Sequence, residues 1–145
     1  MVADTQRGAG ILKLRVLSPL GSVVEADVSA VTLPGLEGDF TVLPEHHETV
    51  AQLRPGVGTY TVGDERRSMS LFGGVATVDG DEIVVVSAVC EAAEQIDAAR
   101  AQEARERAKE RLARKEDEAI DVERARAALA RALLRLHVAG LTRRK

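Results

Sequence analysis

The sequence predicts a two-part β + α chain: an all-β sandwich or barrel followed by an antiparallel two-helix hairpin. Three observations lead there. Up to residue 92 the chain is rich in β-branched residues and carries all 4 prolines. Beyond residue 92 it has no proline and one glycine, Gly140, in a background of Ala, Glu, Arg, Lys and Gln, which are strong helix formers. Charge divides at the same place. Residues 1–92 hold 6 Lys/Arg against 13 Asp/Glu, a net of −7, whereas residues 93–145 hold 14 against 10, a net of +4. The expected organisation is a flexible polar N-terminus over 1–10, a β domain over 11–92 and a helical hairpin over 93–145.

The first strand is "ILKLRVLSP", in which Leu12, Leu14 and Val16 alternate with polar positions at the period of a half-buried strand. "VSAVTLP", "DFTVLP" and "GVGTYTVG" continue as short bursts between turn signals. "GVATVDGDEIVVVSAV" reads as two strands joined at Asp79-Gly80, because glycine accepts the positive φ of a tight hairpin. Many short strands at close spacing favour an all-β fold of stacked or closed sheets. In the helical part, "AAEQIDAARAQEARERAKERLARK" offers Ala101, Ala104, Ala108 and Leu112 as a narrow apolar face. "KEDEA" breaks the pattern, and Asp121 is placed to cap a second helix. There Val122, Ala125, Leu129, Ala132, Leu136 and Ala139 recur at steps of 3, 4, 3, 4 and 3, a single apolar seam. Small side chains let two helices approach closely, so the two faces predict a hairpin with a thin interface, and a thin interface opens at low cost.

Composition excludes several functions. Phe40, Tyr60 and Phe72 are the only aromatic residues and the net charge is −3, so a base-stacking, basic nucleic-acid groove is not expected. No stretch approaches the roughly 20 apolar residues of a membrane span, so no direct membrane insertion is expected and any membrane location depends on another subunit. The single Cys90 cannot form an internal disulfide and ends the apolar run "EIVVVSAVC", which suits a buried structural thiol in a reducing compartment. Within 122–145 there are 7 basic residues against Glu123 alone, so the last helix is a basic rod, fit either for an acidic partner or simply for solubility.

The stretch "LPEHHETV" is the one that looks like chemistry. Glu45, His46, His47 and Glu48 all bind metals or move protons in other settings. Adjacent histidines, however, do not have the i, i+4 spacing with which a helix presents two ligands to zinc, and on a strand they face opposite ways. Pro44 and the polar surroundings place both glutamates in an open loop, where carboxylates stay hydrated and ordinary. No phosphate-binding glycine loop and no nucleophile elbow occurs elsewhere. A surface loop is expected, with neither catalytic residues nor a metal, and for folding Glu45 and Glu48 are expected to tolerate alanine.

Taken in order, "LPGLEGDFTVLPEHHETVAQLRPGVGTY", "LFGGVATVDGDEIVVVSAV" and "IDAARAQEARERAKERL" resemble the epsilon subunit of F-type ATP synthase, from about Leu12 to Leu141. The most specific parts are the "EGD…LP.H" loop with "L.PG" after it, the "GG" before the last hairpin, and "IDxxRA" at the helix start. The resemblance implies a ten-stranded β-sandwich and a regulatory helical hairpin. It also implies a non-catalytic rotor subunit on the cytoplasmic face of the inner (plasma) membrane, which couples proton-driven rotation to ATP synthesis. The sandwich would bind the gamma subunit and the c-ring, with Glu37, Asp39, Glu45, His46 and His47 in the ring-facing loop. The hairpin, once extended, would inhibit ATP hydrolysis, with Arg124, Arg126, Arg131 and Arg135 toward the beta and alpha subunits. Where the family usually has Pro-Gly-His-Ala-Pro, this chain has Pro44-Glu45-His46-His47-Glu48, which alters the turn chemistry and adds two carboxylates.

No cofactor is required by this reading, but ATP is a regulatory ligand in some members. Their motif is matched by Ile96, Asp97, Arg100 and Ala101, with Glu91 upstream and Arg131 and Arg135 on the second helix. Asp97 and Arg100 are i, i+3 and the two arginines i, i+4, so each pair shares a helix face that could take up phosphate and ribose. The same residues also admit a plain structural role: Asp97 favours the helix start, Arg100 pairs with it, and the arginines belong to the basic rod. A free-standing nucleotide sensor and a small metal hydrolase are the competing functions.

Overall fold

The computed structural model describes residues 10–143, so nearly all of the N-terminal segment expected to be flexible lies outside the described residues. Two compact units follow one another along the chain, over 1–92 and 93–145.

The first unit holds eight strands: β1 (Leu12–Ser18), β2 (Gly21–Val28), β3 (Ala30–Gly35), β4 (Gly38–Val42), β5 (Thr49–Val62), β6 (Glu65–Asp79), β7 (Glu82–Val86) and β8 (Cys90–Ala92). The alternation expected of β1 is realised, with Leu12, Leu14 and Val16 buried and Lys13 and Arg15 exposed. The strands form one hydrogen-bonded path, β2-β1-β7-β6-β5-β3-β4, with β8 added to β6. All contacts are antiparallel except β1–β7, where Val16 lies beside Val85 in parallel.

The resemblance implied ten strands, and the count of eight has a physical cause. β5 and β6 pair along almost their full lengths, from Thr49↔Val78 to Val62↔Glu65, but the ladder is interrupted between Leu53↔Gly74 and Pro55↔Phe72. At that point Gly73 and Gly74 take φ of +86° and +128°, which strands of L-residues cannot follow. Segment 75–79 continues the path through β7, β1 and β2, while segments 65–72 and 55–62 carry β8 and residues 30–32 of β3; after an irregularity the end of β3 pairs with the first half of β5, Gly35 beside Leu53. Two bent strands thus serve both layers of the sandwich, and splitting each at its bend recovers ten segments. The strand that turns back from β6 into β7 does so through Gly80 at φ +61° and Asp81, flanked by the pair Asp79↔Glu82. The hairpin is as expected, with its two central residues one position later than Asp79-Gly80.

One apolar core fills the sandwich, built from Leu12, Leu14, Leu33, Met69, Leu71, Ile83 and a set of valines, with Tyr60 as its buried aromatic. Among the described residues no buried side-chain nitrogen or oxygen lacks a hydrogen-bond partner. Ser87 Oγ donates to the carbonyls of Gly73 (2.7 Å) and Val89 (3.0 Å), tying the bend in β6 to the end of β7.

The second unit begins with a 3-10 turn, Ala93–Gln95, followed by α1 (Ala98–Ala113) and α2 (Val122–Arg143). Both helix starts are capped, α2 by Asp121 as the sequence indicates and α1 by Asp97, which the sequence placed only near the helix start. Asp97 Oδ1 accepts from Arg100 N at 3.1 Å, and Asp121 Oδ1 accepts from Arg124 N at 3.1 Å. Ala101 and Ala108 of α1 are buried, as are Ala125, Ala132 and Ala139 of α2. Leu112, Val122, Leu129 and Leu136 flank them half-buried. Val138, which the seam omits, is fully buried. The turn before α1 packs on α2, as an antiparallel hairpin requires. Among the described residues no helix is long and apolar enough to cross a membrane.

Candidate functional sites: the β4–β5 loop and the helical hairpin

The residues expected to face a partner divide between two places. Glu37 lies in the tight turn from β3 to β4 and Asp39 just inside β4, whereas Glu45, His46 and His47 lie in the loop after β4. The length of β4 separates the two groups. Asp39 is not a free carboxylate: it forms an ion pair with Arg54 of β5, which ties the β3–β4 turn to the bend in β5. Beside that pair is an open groove of about 440 Å3, lined by Leu36, Glu37, Phe40, Val50 and Gln52 among others. Leu36 is 61% exposed and Val50 75% exposed. Sequence reading passed over both; Val50 lies opposite Thr77 in the first half of β5, which no local signal marks as strand.

The loop itself is a well-defined turn. The His46 backbone N–H donates to the Leu43 carbonyl at 3.2 Å, Pro44 occupies the second position and Glu45 the third, with φ +70°. This is the arrangement of a type II turn, whose third position ordinarily requires glycine or asparagine. A Cβ in that conformation costs on the order of 1–2 kcal/mol. After the turn, His46 Nδ1 donates to the His47 carbonyl at 2.7 Å, and Thr49 Oγ1 donates to the same carbonyl at 3.0 Å. The first histidine is thereby held by its own neighbour's backbone. Among the described residues no three His, Cys, Asp or Glu side chains are grouped so as to hold a metal ion. Glu45 and Glu48 are exposed, and neither carboxylate has a hydrogen bond or ion pair among the described residues.

In the hairpin, the motif Ile96-Asp97-Ala98-Ala99-Arg100-Ala101 is largely taken up by building the helix. Asp97 is the N-cap, Ala101 is buried in the interhelical seam, and Ile96 is half-buried, its N–H donating to the Ala93 carbonyl at 3.3 Å. Arg100 remains exposed; Asp97 binds its backbone N–H and makes no ion pair with its guanidinium. On α2, Arg131 and Arg135 are half-buried one turn apart, while Arg124 and Arg126 are exposed, the latter 3.8 Å from Glu123. Glu91 is half-buried on β8, in the other unit. Cys90 beside it is buried, and burial, reinforced by the charge of Glu91, raises its thiol above the ordinary 9.0. That is the inert, structural environment the sequence led us to expect.

A β-sandwich with two bent strands, followed by an alanine-seamed hairpin with a basic second helix, defines a class of small bipartite subunits. Residues 11–93 match the beta-sandwich domain of the ATP synthase Delta/Epsilon chain, and residues 94–140 match the long alpha-helix domain of the same chain. The chain belongs to this family. It is 40% identical over 131 residues to the ATP synthase epsilon chain of Syntrophobacter fumaroxidans, covering 90% of this chain and 97% of that one. It is 37% identical, over 90% of this chain and 98% of the relative, to the epsilon chain of Desulfitobacterium hafniense. A chain in the mitochondrial ATP synthase structure from Euglena gracilis (OSCP/F1/c-ring) superposes with a TM-score of 0.68 at 26% identity, covering 84% of this chain and 76% of that one.

Proposed function

We propose that this chain is a non-catalytic subunit of the rotating central stalk of an ATP synthase. Its sandwich docks on the gamma subunit and the c-ring, and its hairpin reaches the beta and alpha subunits to restrain ATP hydrolysis. The observation that carries this reading is the pairing, in one chain, of a self-contained sandwich core with a separate hairpin sealed mainly by alanine. The first unit supplies a firm attachment. The second has an interface thin enough for two arrangements to lie within a few kcal/mol, as a switch requires. The protein would sit peripherally at the cytoplasmic face of the membrane, held there by the ring. ATP is the regulatory ligand we assign to the hairpin, with Arg100, Arg131 and Arg135 for the phosphates and Asp97 for the ribose or base.

The test adds full-length protein, or a truncation after Ala92, back to the matching catalytic head stripped of this subunit, and follows ATP hydrolysis. Inhibition by the full-length chain alone supports the hairpin as a brake. Binding of both forms without inhibition reduces the protein to a coupling element, and failure of either to bind removes the proposal. For the ligand, calorimetry at millimolar ATP should show binding that Arg100→Ala abolishes; no binding, or binding indifferent to the substitution, excludes it.

A further inference from the structure

The turn at residues 43–46 places a glutamate where its backbone conformation favours glycine, with Glu45 at φ +70°. Within the molecule the side chain returns nothing for that strain: the carboxylate is exposed and has no partner among the described residues. The first residue of the same turn, Leu43, is 55% exposed. An anionic and a large apolar side chain thus leave the fold from one rigid four-residue turn, pinned at its start by Pro44 and closed by the His46 N–H. Strained, over-determined residues persist where the strain serves a contact.

We propose that Glu45 is a specificity residue for the surface this loop meets, forming an ion pair with a Lys or Arg that lies beside an apolar recess for Leu43. The inference rests on the reading that the loop faces the c-ring, so the occupant is an exposed loop of the ring subunit with that chemistry. The closed turn fixes the point and direction at which Glu45 leaves the backbone before docking, so little backbone order is lost on binding. A ring that presents an acidic or uncharged residue at that point is disfavoured, which is how a rim charge discriminates among partners.

The experiment uses the complete catalytic head, reconstituted with wild-type chain, Glu45→Gln, Glu45→Gly or Glu45→Lys. Its binding is measured on ring-containing membranes and on ring-free membranes, at low and high salt, and the melting temperature of each isolated chain is recorded. At low salt Glu45→Gln and Glu45→Gly should each weaken binding about two- to fivefold, as for an exposed ion pair, and Glu45→Lys more. High salt should erase the difference. Glu45→Gly should at the same time raise the melting temperature of the isolated chain, so stability and affinity move in opposite directions, which a purely structural role would not produce. Variants that bind ring-containing membranes as the wild type does at low salt overturn the proposal alone. Wild-type heads that bind ring-free membranes equally well overturn the ring-facing reading on which it stands.

Discussion

Replacing Gly74 by alanine should remove a large share of the sandwich's stability. A Cβ built there lies 2.3 Å from the Val86 carbonyl oxygen and 3.1 Å from Ser87 Cα, both backbone atoms at the end of β7. No side chain can swing aside to make room. The backbone at φ +128° is also one that L-residues rarely adopt, which costs about 1–3 kcal/mol by itself. Relieving the clash means moving β7 away from β6, which loosens the Val75↔Val86 pairing and the Ser87 Oγ bond to the Gly73 carbonyl. Each hydrogen bond lost adds about 1 kcal/mol. The total is on the order of 3–5 kcal/mol, against the 5–15 kcal/mol that holds a typical domain together. Gly80→Ala is the control, since Gly80 has a positive φ of +61° but nothing within 4 Å of the added Cβ; it should lose only about 1 kcal/mol. Urea unfolding can be followed by the fluorescence of Tyr60, the one tyrosine, buried in the core and undisturbed by any tryptophan. A Gly74→Ala protein no less stable than Gly80→Ala would refute the reasoning and show that β7 can yield.

Three other outcomes are expected. Ala132→Leu forces a large side chain into the fully buried hairpin seam and should cost the hairpin roughly 1–3 kcal/mol, read as faster amide exchange in α1 and α2 with the sandwich unchanged. Asp97→Ala removes the N-cap of α1 and should cost about 1 kcal/mol of helix stability, whereas Asp97→Asn keeps the cap, so loss of ATP binding in the asparagine variant would mark a role in the ligand rather than in the fold. For Cys90 the folded thiol ionises above the ordinary 9.0, so the unfolded chain loses its proton first; wild-type stability should fall as pH rises above about 9 by a component that Cys90→Ala lacks, and equal pH profiles for the two would count against it.

Where periodicity and capping act locally, the sequence was readable. The Leu12-Leu14-Val16 alternation, the Asp121 cap and the 3-4 seam of α2 each depend on residues within a turn or two, and each appears as expected. β2, "GSVVEADV", was passed over because its alternation is blurred by the adjacent Val23 and Val24. The first half of β5 was hidden by Pro55 and Gly56, which look like a break but lie within a continuous strand at its bend. That continuity depends on pairing with β6, a partner no local signal reveals. The loop's location was legible and its strain was not: nothing in "PEHHE" announces that the closing Leu43–His46 hydrogen bond puts Glu45 at positive φ. The IDxxRA motif was legible as a pattern, but the share of it that the helix start consumes, Asp97 as cap and Ala101 in the seam, depends on how α1 packs.

The passage of β5 and β6 through both layers has a mechanical side. In a sandwich made of two separate sheets, a sideways load on one layer reaches the other only across apolar side chains, which slide. Here the load also travels along two covalent backbones and the antiparallel ladder between them. Shear between the layers is then resisted by bonds rather than by friction. For a part turned within a shaft, that stiffness sets how much twist is stored, and how little is lost, between the driven end and the working end.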